Sequence, residues 1–255
     1  MDSELYIKIT NIICLISLIG SIYIIANYFK RRLIKPSGAI LLLCFLFGMY
    51  SYIPMKIMTS GVEQQNHATI EKAIKLSLNP FEKRLGYKYL AEMYAEDPSY
   101  KGIRDGNKAI KYMELAINGQ YERYRKESSQ LIYWYSIKGH ENRVFKLAQI
   151  PGIDKNLALR NIYIMKNDYY RALQTFGDQD TGIENFLKAE LCKKTNSPAA
   201  SRKAYDVAQS AFIKGLSNIE KRSERLEYRE EVNKYKSIDA YKNWLRAQKK
   251  ELGFN

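Results

Sequence analysis

Cysteine is scarce in this chain, with three in 255 residues. Cys14 and Cys44 fall in apolar runs, and Cys192 stands alone in the polar remainder, so no disulfide framework is possible within residues 59–255. A lone cysteine on an apolar helix face reads as a small core residue. Histidine is scarcer still. His67 and His140 have no partner at catalytic or metal-ligand spacing, and His140 follows Gly139 in a turn-like dipeptide. HExxH, CxxC, GxSxG and a phosphate-cradling glycine loop are all missing. The stretch GIRDG at 102–106 lacks both the preceding strand and the Lys-Ser/Thr of a phosphate loop, and reads as a helix-connecting turn. Asp178 and Asp180 are spaced like calcium ligands, but the downstream bidentate acid is absent. Glu92, Glu96 and Asp97 read as ordinary surface charge. No catalytic, cofactor-binding or metal-ligating residue is therefore assigned, no cofactor is implied, and the chain is not expected to be an enzyme.

Two long apolar runs are present near the start, Leu5–Phe29 and Gly38–Ile57. Each has about the length a helix needs to cross ~30 Å of hydrocarbon at ~1.5 Å per residue. Lys30, Arg31, Arg32 and Lys35 lie between them, whereas the flanks carry only Lys8, beside Asp2 and Glu4, and Lys56. Basic loops stay on the cytoplasmic side. The expectation is a two-helix transmembrane anchor over 1–58 in a bacterial inner membrane. Its loop 30–37 would be cytoplasmic and both chain termini periplasmic. A cleaved signal peptide fits poorly, because the start is acidic and the apolar run too long. Inversion, with the large domain in the cytoplasm, and a pair of buried helices in a soluble protein are the alternatives.

Six Lys/Arg and two Asp/Glu lie in residues 1–58. Of the chain's 41 basic and 27 acidic residues, 35 and 25 therefore remain in 59–255, a net charge of +10. This excess is spread through mixed-sign stretches such as 218–236 (NIEKRSERLEYREEVNKYK), the pattern of a solvated surface. It favours an anionic partner of some kind: acidic lipid, cell-wall polymer or an acidic protein. Nucleic acid is not expected for a periplasmic domain, and a small-molecule substrate is not indicated.

Strand signals are nearly absent after residue 58. Apolar residues recur at helical spacing and Gly, Pro and Asn-Asp clusters punctuate them. Helices are expected at 67–78, 81–96, 107–118, 121–138, 141–149, 155–166, 168–176, 181–194, 198–213 and, as one long element, near 218–249. The tetrapeptide Lys72-Ala73-Ile74-Lys75 recurs as Lys108-Ala109-Ile110-Lys111, 36 residues on. Small residues next to turns at Ala73, Ala109, Val144, Ala172 and Ser201 are spaced by 36, 35, 28 and 29. Alanine at such positions lets paired helices approach closely.

The stretch Tyr89-Leu90-Ala91-Glu92-Met93-Tyr94, the glycine loop ending Gly102-Ile103-Arg104-Asp105, and then Asn107-Lys108-Ala109-Ile110-Lys111-Tyr112 and Ala116-Ile117-Asn118-Gly119 resemble the tetratricopeptide and Sel-one-like repeat families. Further echoes are Tyr163, Asn167-Asp168-Tyr169, Ala172 and Phe176, and more weakly Leu131, Tyr135, Gly139, Val144 and Ala148. The resemblance covers about residues 66–213, and the irregular spacing departs from both families. It implies an all-α chain: a helical-repeat domain at 59–217 built as an α-solenoid of hairpins, and an amphipathic capping helix at 218–255 carrying Leu226, Val232, Tyr235, Ile238, Tyr241, Trp244 and Leu245. A non-repetitive helical domain is the alternative.

Tyrosine is abundant, with 21 residues. Tyr121, Tyr124, Tyr133, Trp134 and Tyr135 are dense over one expected helix, more than one buried face holds, so some are exposed or line a groove as an interface, with packing as the alternative. The repeat resemblance implies that the first helix of each hairpin lines a concave surface. That projection assigns Lys88, Glu92, Lys126, Ser129, Tyr133, Trp134, Asn161, Glu190 and Lys193 to contact with a protein or peptide partner. The functional expectation is a membrane-anchored protein–protein interaction scaffold with a periplasmic repeat domain, in one concrete form an immunity protein that neutralises a secreted antibacterial toxin. The alternative is a structural or assembly subunit of an envelope complex for secretion, pilus formation or wall synthesis.

Overall fold

The structure is a computed structural model that describes residues 19, 20, 23, 52–96, 104–177 and 182–254. All regular structure among these residues is α-helical, as the periodicity predicts. The apolar runs at 5–29 and 38–57 lie outside the described residues, apart from Ile19, Gly20, Tyr23 and 52–57. Asp178 and Asp180 lie outside them as well. Among the described residues no helix is long and apolar enough to cross a membrane. The chain divides into two compact units, Met1–Lys101 and Gly102–Asn255.

In the first unit, residues 52–63 are helical and are followed by α1 (His67–Leu76) and α2 (Pro80–Glu96). Asn66 caps α1 by accepting the Thr69 N–H at 3.2 Å. Asn79 ends the link to α2: its side chain accepts the Phe81 N–H at 2.9 Å, and Pro80 opens the helix where a missing N–H costs nothing. Ser77 donates its hydroxyl to the fully buried Glu82 at 2.6 Å. α1 packs on α2. Gly86 of α2 lies against Ile74 and Met58, so the absence of a Cβ there is what lets the helices close. Ala73 and Ile74 are buried and Lys72 and Lys75 exposed.

The second unit holds nine helices among its described residues: α3 (Gly106–Ile117), α4 (Arg125–Lys138), α5 (Glu141–Ala148), α6 (Asn156–Met165), α7 (Tyr169–Gln174), α8 (Asn185–Lys194), α9 (Pro198–Ser217), α10 (Arg222–Asn233) and α11 (Ile238–Glu251). Asp105 caps α3 by accepting the Lys108 N–H at 3.0 Å, so the GIRDG stretch ends as a helix start. Lys108-Ala109-Ile110-Lys111 repeats the α1 pattern, with Ala109 and Ile110 buried between exposed lysines.

Three hairpins share one turn. α4–α5, α6–α7 and α8–α9 are joined through Gly139, Asn167 and Asn196, whose φ values are 86°, 63° and 55°. Glycine and asparagine are the residues that enter this left-handed region most readily. In each turn the following N–H reaches back to close the helix end: His140 to Tyr135 O, Asp168 to Tyr163 O and Ser197 to Cys192 O, all at 2.9 Å. This is the six-to-one bond of a Schellman motif. Five residues beyond each turn residue sit Val144, Ala172 and Ser201, and all three are buried. The spacings of 28 and 29 thus mark equivalent places in three hairpins.

Successive hairpins also touch. α4 packs on α3, α5 and α6, α6 on α5 and α7, and α8 on α7 and α9. Arg160 ties α6 to the far side of its own hairpin. It is almost wholly buried, donates to Thr175 Oγ1 and to the Thr175 carbonyl at 3.2 Å each, pairs with Glu184 at 3.0 Å, and lies 3.5 Å over the Phe176 ring. Every polar end of this buried cation is matched, the condition for keeping a charge out of water.

Two expectations need correction. Helix α4 begins at Arg125, and 121–124 form a turn whose Tyr121 carbonyl accepts the Ser128 hydroxyl at 3.0 Å. The single long capping helix near 218–249 is two helices, α10 and α11, with a break at 234–237. The two halves meet different surfaces. Val232 of α10 is buried with Phe186 and Ala208, whereas α11 packs on α4, α6 and α8. One straight rod cannot meet both surfaces. Ser237 restarts the helix by accepting the Ala240 N–H at 3.0 Å. Lys234 fills the corner over the rings of Tyr235 and Trp244, at 4.9 and 4.7 Å. Leu226, expected on the apolar face, is half exposed.

Candidate functional site

The residues assigned to partner contact fall in both units. Lys88 and Glu92 sit one turn apart on α2 and pair with each other at 3.8 Å. A partly exposed pair of this kind contributes little to stability. The others belong to the second unit.

Tyr133, Asn161 and Glu190 each lie six residues before the shared turn residue, so they form one row on α4, α6 and α8. These are the helices against which α11 packs. Asn161 is fully buried there. Its amide donates to Ser136 Oγ at 3.0 Å, and its carbonyl oxygen accepts the Tyr241 hydroxyl at 2.8 Å. Tyr133 is half-buried. Burial, and then the negative charge of Glu251 at the end of α11, push its phenol above the ordinary tyrosine range. Glu190 pairs with Lys193 on its own helix. The chain's own C-terminal helix therefore faces the row projected to meet a partner.

Lys126 is exposed at the start of α4. Ser129 is a local staple: its hydroxyl donates to the Arg125 carbonyl at 2.8 Å and accepts the Asp154 N–H at 2.9 Å, holding the loop before α6. Trp134 is buried in the core, so its ring packs helices together.

Further polar links join α11 to the rest of the second unit. Lys242 reaches Asn167 and Tyr169, and Arg104 pairs with Glu251 at 2.6 Å. Beyond α11 the chain docks on the start of α3: the Gly106 N–H donates to the Leu252 carbonyl at 2.6 Å, and the Phe254 ring covers Gly106 where any Cβ would stand. Tyr241 is almost wholly enclosed. The sequence places it on the apolar face of the last helix without naming its partner. The one signal available was Asn161 itself, a polar residue on an otherwise apolar helix, which once buried needs a donor for its carbonyl.

A cavity of about 360 Å³ opens beside the α4–α5 hairpin. Tyr121, Tyr135, Leu147, Ile150 and Pro151 make its apolar wall, and Glu122, Arg143, Lys146 and Gln149 line it as well. The Tyr135 hydroxyl is already given to Glu114 of α3. Burial, and then this bond, raise its phenol far above the ordinary value. The Tyr135 ring stacks on His140 with centroids 5.8 Å apart. Partial burial, and then the positive charges of Lys138, Arg143 and Lys249, hold the His140 imidazole below its ordinary value.

His67 packs its ring against Tyr94 at 4.3 Å. Cys192 is buried on α8, and burial pushes its thiol up, away from the reactive thiolate. Among the described residues no group of three His, Cys, Asp or Glu is placed to hold a metal ion. Comparison of the chain with protein-family models, with curated proteins and with solved structures gave no match.

Proposed function

We infer that the chain is a protein–protein interaction scaffold tethered to a bacterial inner membrane. The two apolar runs act as the anchor, and the second unit acts as a tetratricopeptide-like stack of helical hairpins facing the periplasm. The observation that carries this reading is the repeated hairpin, with Gly139, Asn167 and Asn196 in the same turn and Val144, Ala172 and Ser201 buried at the same place beyond it. A stack of like hairpins presents a long surface made of many short elements, which suits recognition of another chain. The basic balance of residues 59–255, a net charge of +10, favours an acidic partner. A tethered immunity protein that neutralises a secreted toxin is one form such a scaffold takes. The two spans would confine it at the membrane surface and raise its effective concentration towards partners there.

The test combines topology and contact. Reporters fused to the C-terminus, one active only in the periplasm and one only in the cytoplasm, are expected to place that end outside the inner membrane. Photo-crosslinking residues at Lys126 and Gln149 of the full-length protein in its own membranes are expected to give discrete protein adducts. A cytoplasmic C-terminus overturns the topology. Absence of any protein adduct overturns the scaffold.

A further inference from the structure

Tyr133 and Asn161 of the projected row lie against α11, whereas the cavity beside the α4–α5 hairpin is not covered by it. The cavity on the α4–α5 edge is open, has an aromatic and aliphatic wall, and carries two cations at its lining. Arg143 and Lys146 lie one turn apart on the exposed side of α5, and among the described residues no carboxylate pairs with either. The nearer acids are accounted for differently. Glu114 accepts the Tyr135 hydroxyl, and Glu122, in the turn at 121–124, is one carboxylate among the lining residues against the two cations. His140 adds a polar ring beside Tyr135.

We propose that this cavity is a docking site for an acidic segment of a partner protein, one that carries a carboxylate beside an aromatic or large aliphatic side chain. The apolar side chain enters between Tyr121, Tyr135, Leu147, Ile150 and Pro151. The carboxylate meets Arg143 and Lys146. Because the Tyr135 hydroxyl is committed to Glu114, its ring serves as wall and not as a hydrogen-bond donor. A volume of about 360 Å³ is at the low end for ligand sites, about 300–1,000 Å³, and takes a side chain or two. That size argues against the acyl chains of a lipid. Enclosure of the apolar group makes the ionic contacts stronger than they are on an open surface. The proposal rests on the reading of the chain as an interaction scaffold, and names the kind of segment it takes.

The probe is an acetylated, amidated peptide with Asp-Phe-Asp at its centre, titrated into the full-length protein in detergent micelles and followed by fluorescence anisotropy. Saturable binding is expected. It should weaken at least tenfold for Arg143→Gln with Lys146→Gln, fall with added salt, and disappear for Asn-Phe-Asn or Asp-Ala-Asp peptides. Both substitutions change exposed side chains, and unaltered helical circular dichroism shows that the variant folds. A charge exchange gives a second arm: Arg143→Glu with Lys146→Glu should bind Lys-Phe-Lys in place of Asp-Phe-Asp. Equal binding of all peptides, or insensitivity to both double variants, overturns the site. So does capture of phosphatidylglycerol vesicles through Arg143 and Lys146 when the peptide does not bind. Failure of the peptide with protein adducts retained at Lys126 sinks the acidic-segment assignment alone. Loss of the adducts as well sinks the scaffold reading.

Discussion

The hydroxyl of Tyr241 donates to the side-chain oxygen of Asn161 at 2.8 Å, joining the last helix to the middle of the hairpin row across 80 residues of chain. Both groups are buried, so neither has water as a substitute. Tyr241→Phe removes the donor and leaves a buried acceptor unmatched. The expected loss is about 1–3 kcal/mol of unfolding free energy, measured by urea denaturation. The double variant with Asn161→Ala should lose less than the sum of the two single changes, and strict additivity would show that the bond contributes nothing.

The buried phenols predict alkaline instability. Tyr133, Tyr135, Tyr235 and Tyr241 all have folded-state values raised above the ordinary 10.0, each with burial as the first cause. The folded state therefore holds these protons where the unfolded chain releases them. Their contribution is complete below pH 10 and declines as pH rises above it, at about 1.4 kcal/mol per pH unit for each phenol still protonated in the fold. Unfolding free energy measured between about pH 9 and 11.5 should be flat and then fall steeply, with tyrosinate absorbance from these rings appearing together with unfolding. Ionisation of these four phenols near pH 10 in a fully folded chain would contradict the burial.

The shared turn predicts a graded response at its left-handed residue. Asn196, at φ 55°, serves the turn through its backbone, so Asn196→Gly should be close to neutral. Asn196→Val should cost about 1–2 kcal/mol, because a branched side chain meets the carbonyl in this region. Equal melting temperatures for the two variants would count against the turn geometry.

The dock of the chain end on α3 is tight. Gly106→Ala puts a methyl group where the Phe254 ring and the Leu252 carbonyl stand, so the segment after α11 must move. A cost of about 1–3 kcal/mol is expected, the range for overpacking. Phe254→Ala should cost a similar amount, and in the double variant the methyl group should cost little. Limited proteolysis should cut near residue 252 in each single variant and not in the native chain.

The helical character of the described residues between 67 and 251 was legible because apolar spacing, cap residues and turn residues agree. Asn66, Asp105, Asp168 and Ser237 all cap helices with side chains that the order of residues already displays. The 28- and 29-residue spacing of Val144, Ala172 and Ser201 was legible for a related reason: one turn geometry demands Gly or Asn, and a residue that fits between the helices must follow at a set distance. The burial of Trp134 was not legible. Apolar periodicity on α4 is weak and several aromatic residues adjoin, so the sequence does not say which ring faces inward. The cavity beside Tyr135 left no trace, since Tyr121, Arg143 and Pro151 come together from a turn, a helix and a loop.

Taken alone, the order of residues determined the two apolar runs, the helical character of the described residues after them and the repeated turn, because each depends on neighbours within a few positions. The tertiary structure decided the fate of the C-terminal segment. Its amphipathic pattern runs on past residue 233, yet Val232 and Tyr241 have different surfaces to cover, Ala208 and Phe186 in one case and Asn161 in the other. Burying both apolar faces goes with the break at 234–237: Ser237 offers a helix start there, and the positions of α4, α6, α8 and α9 in space decide that it is used.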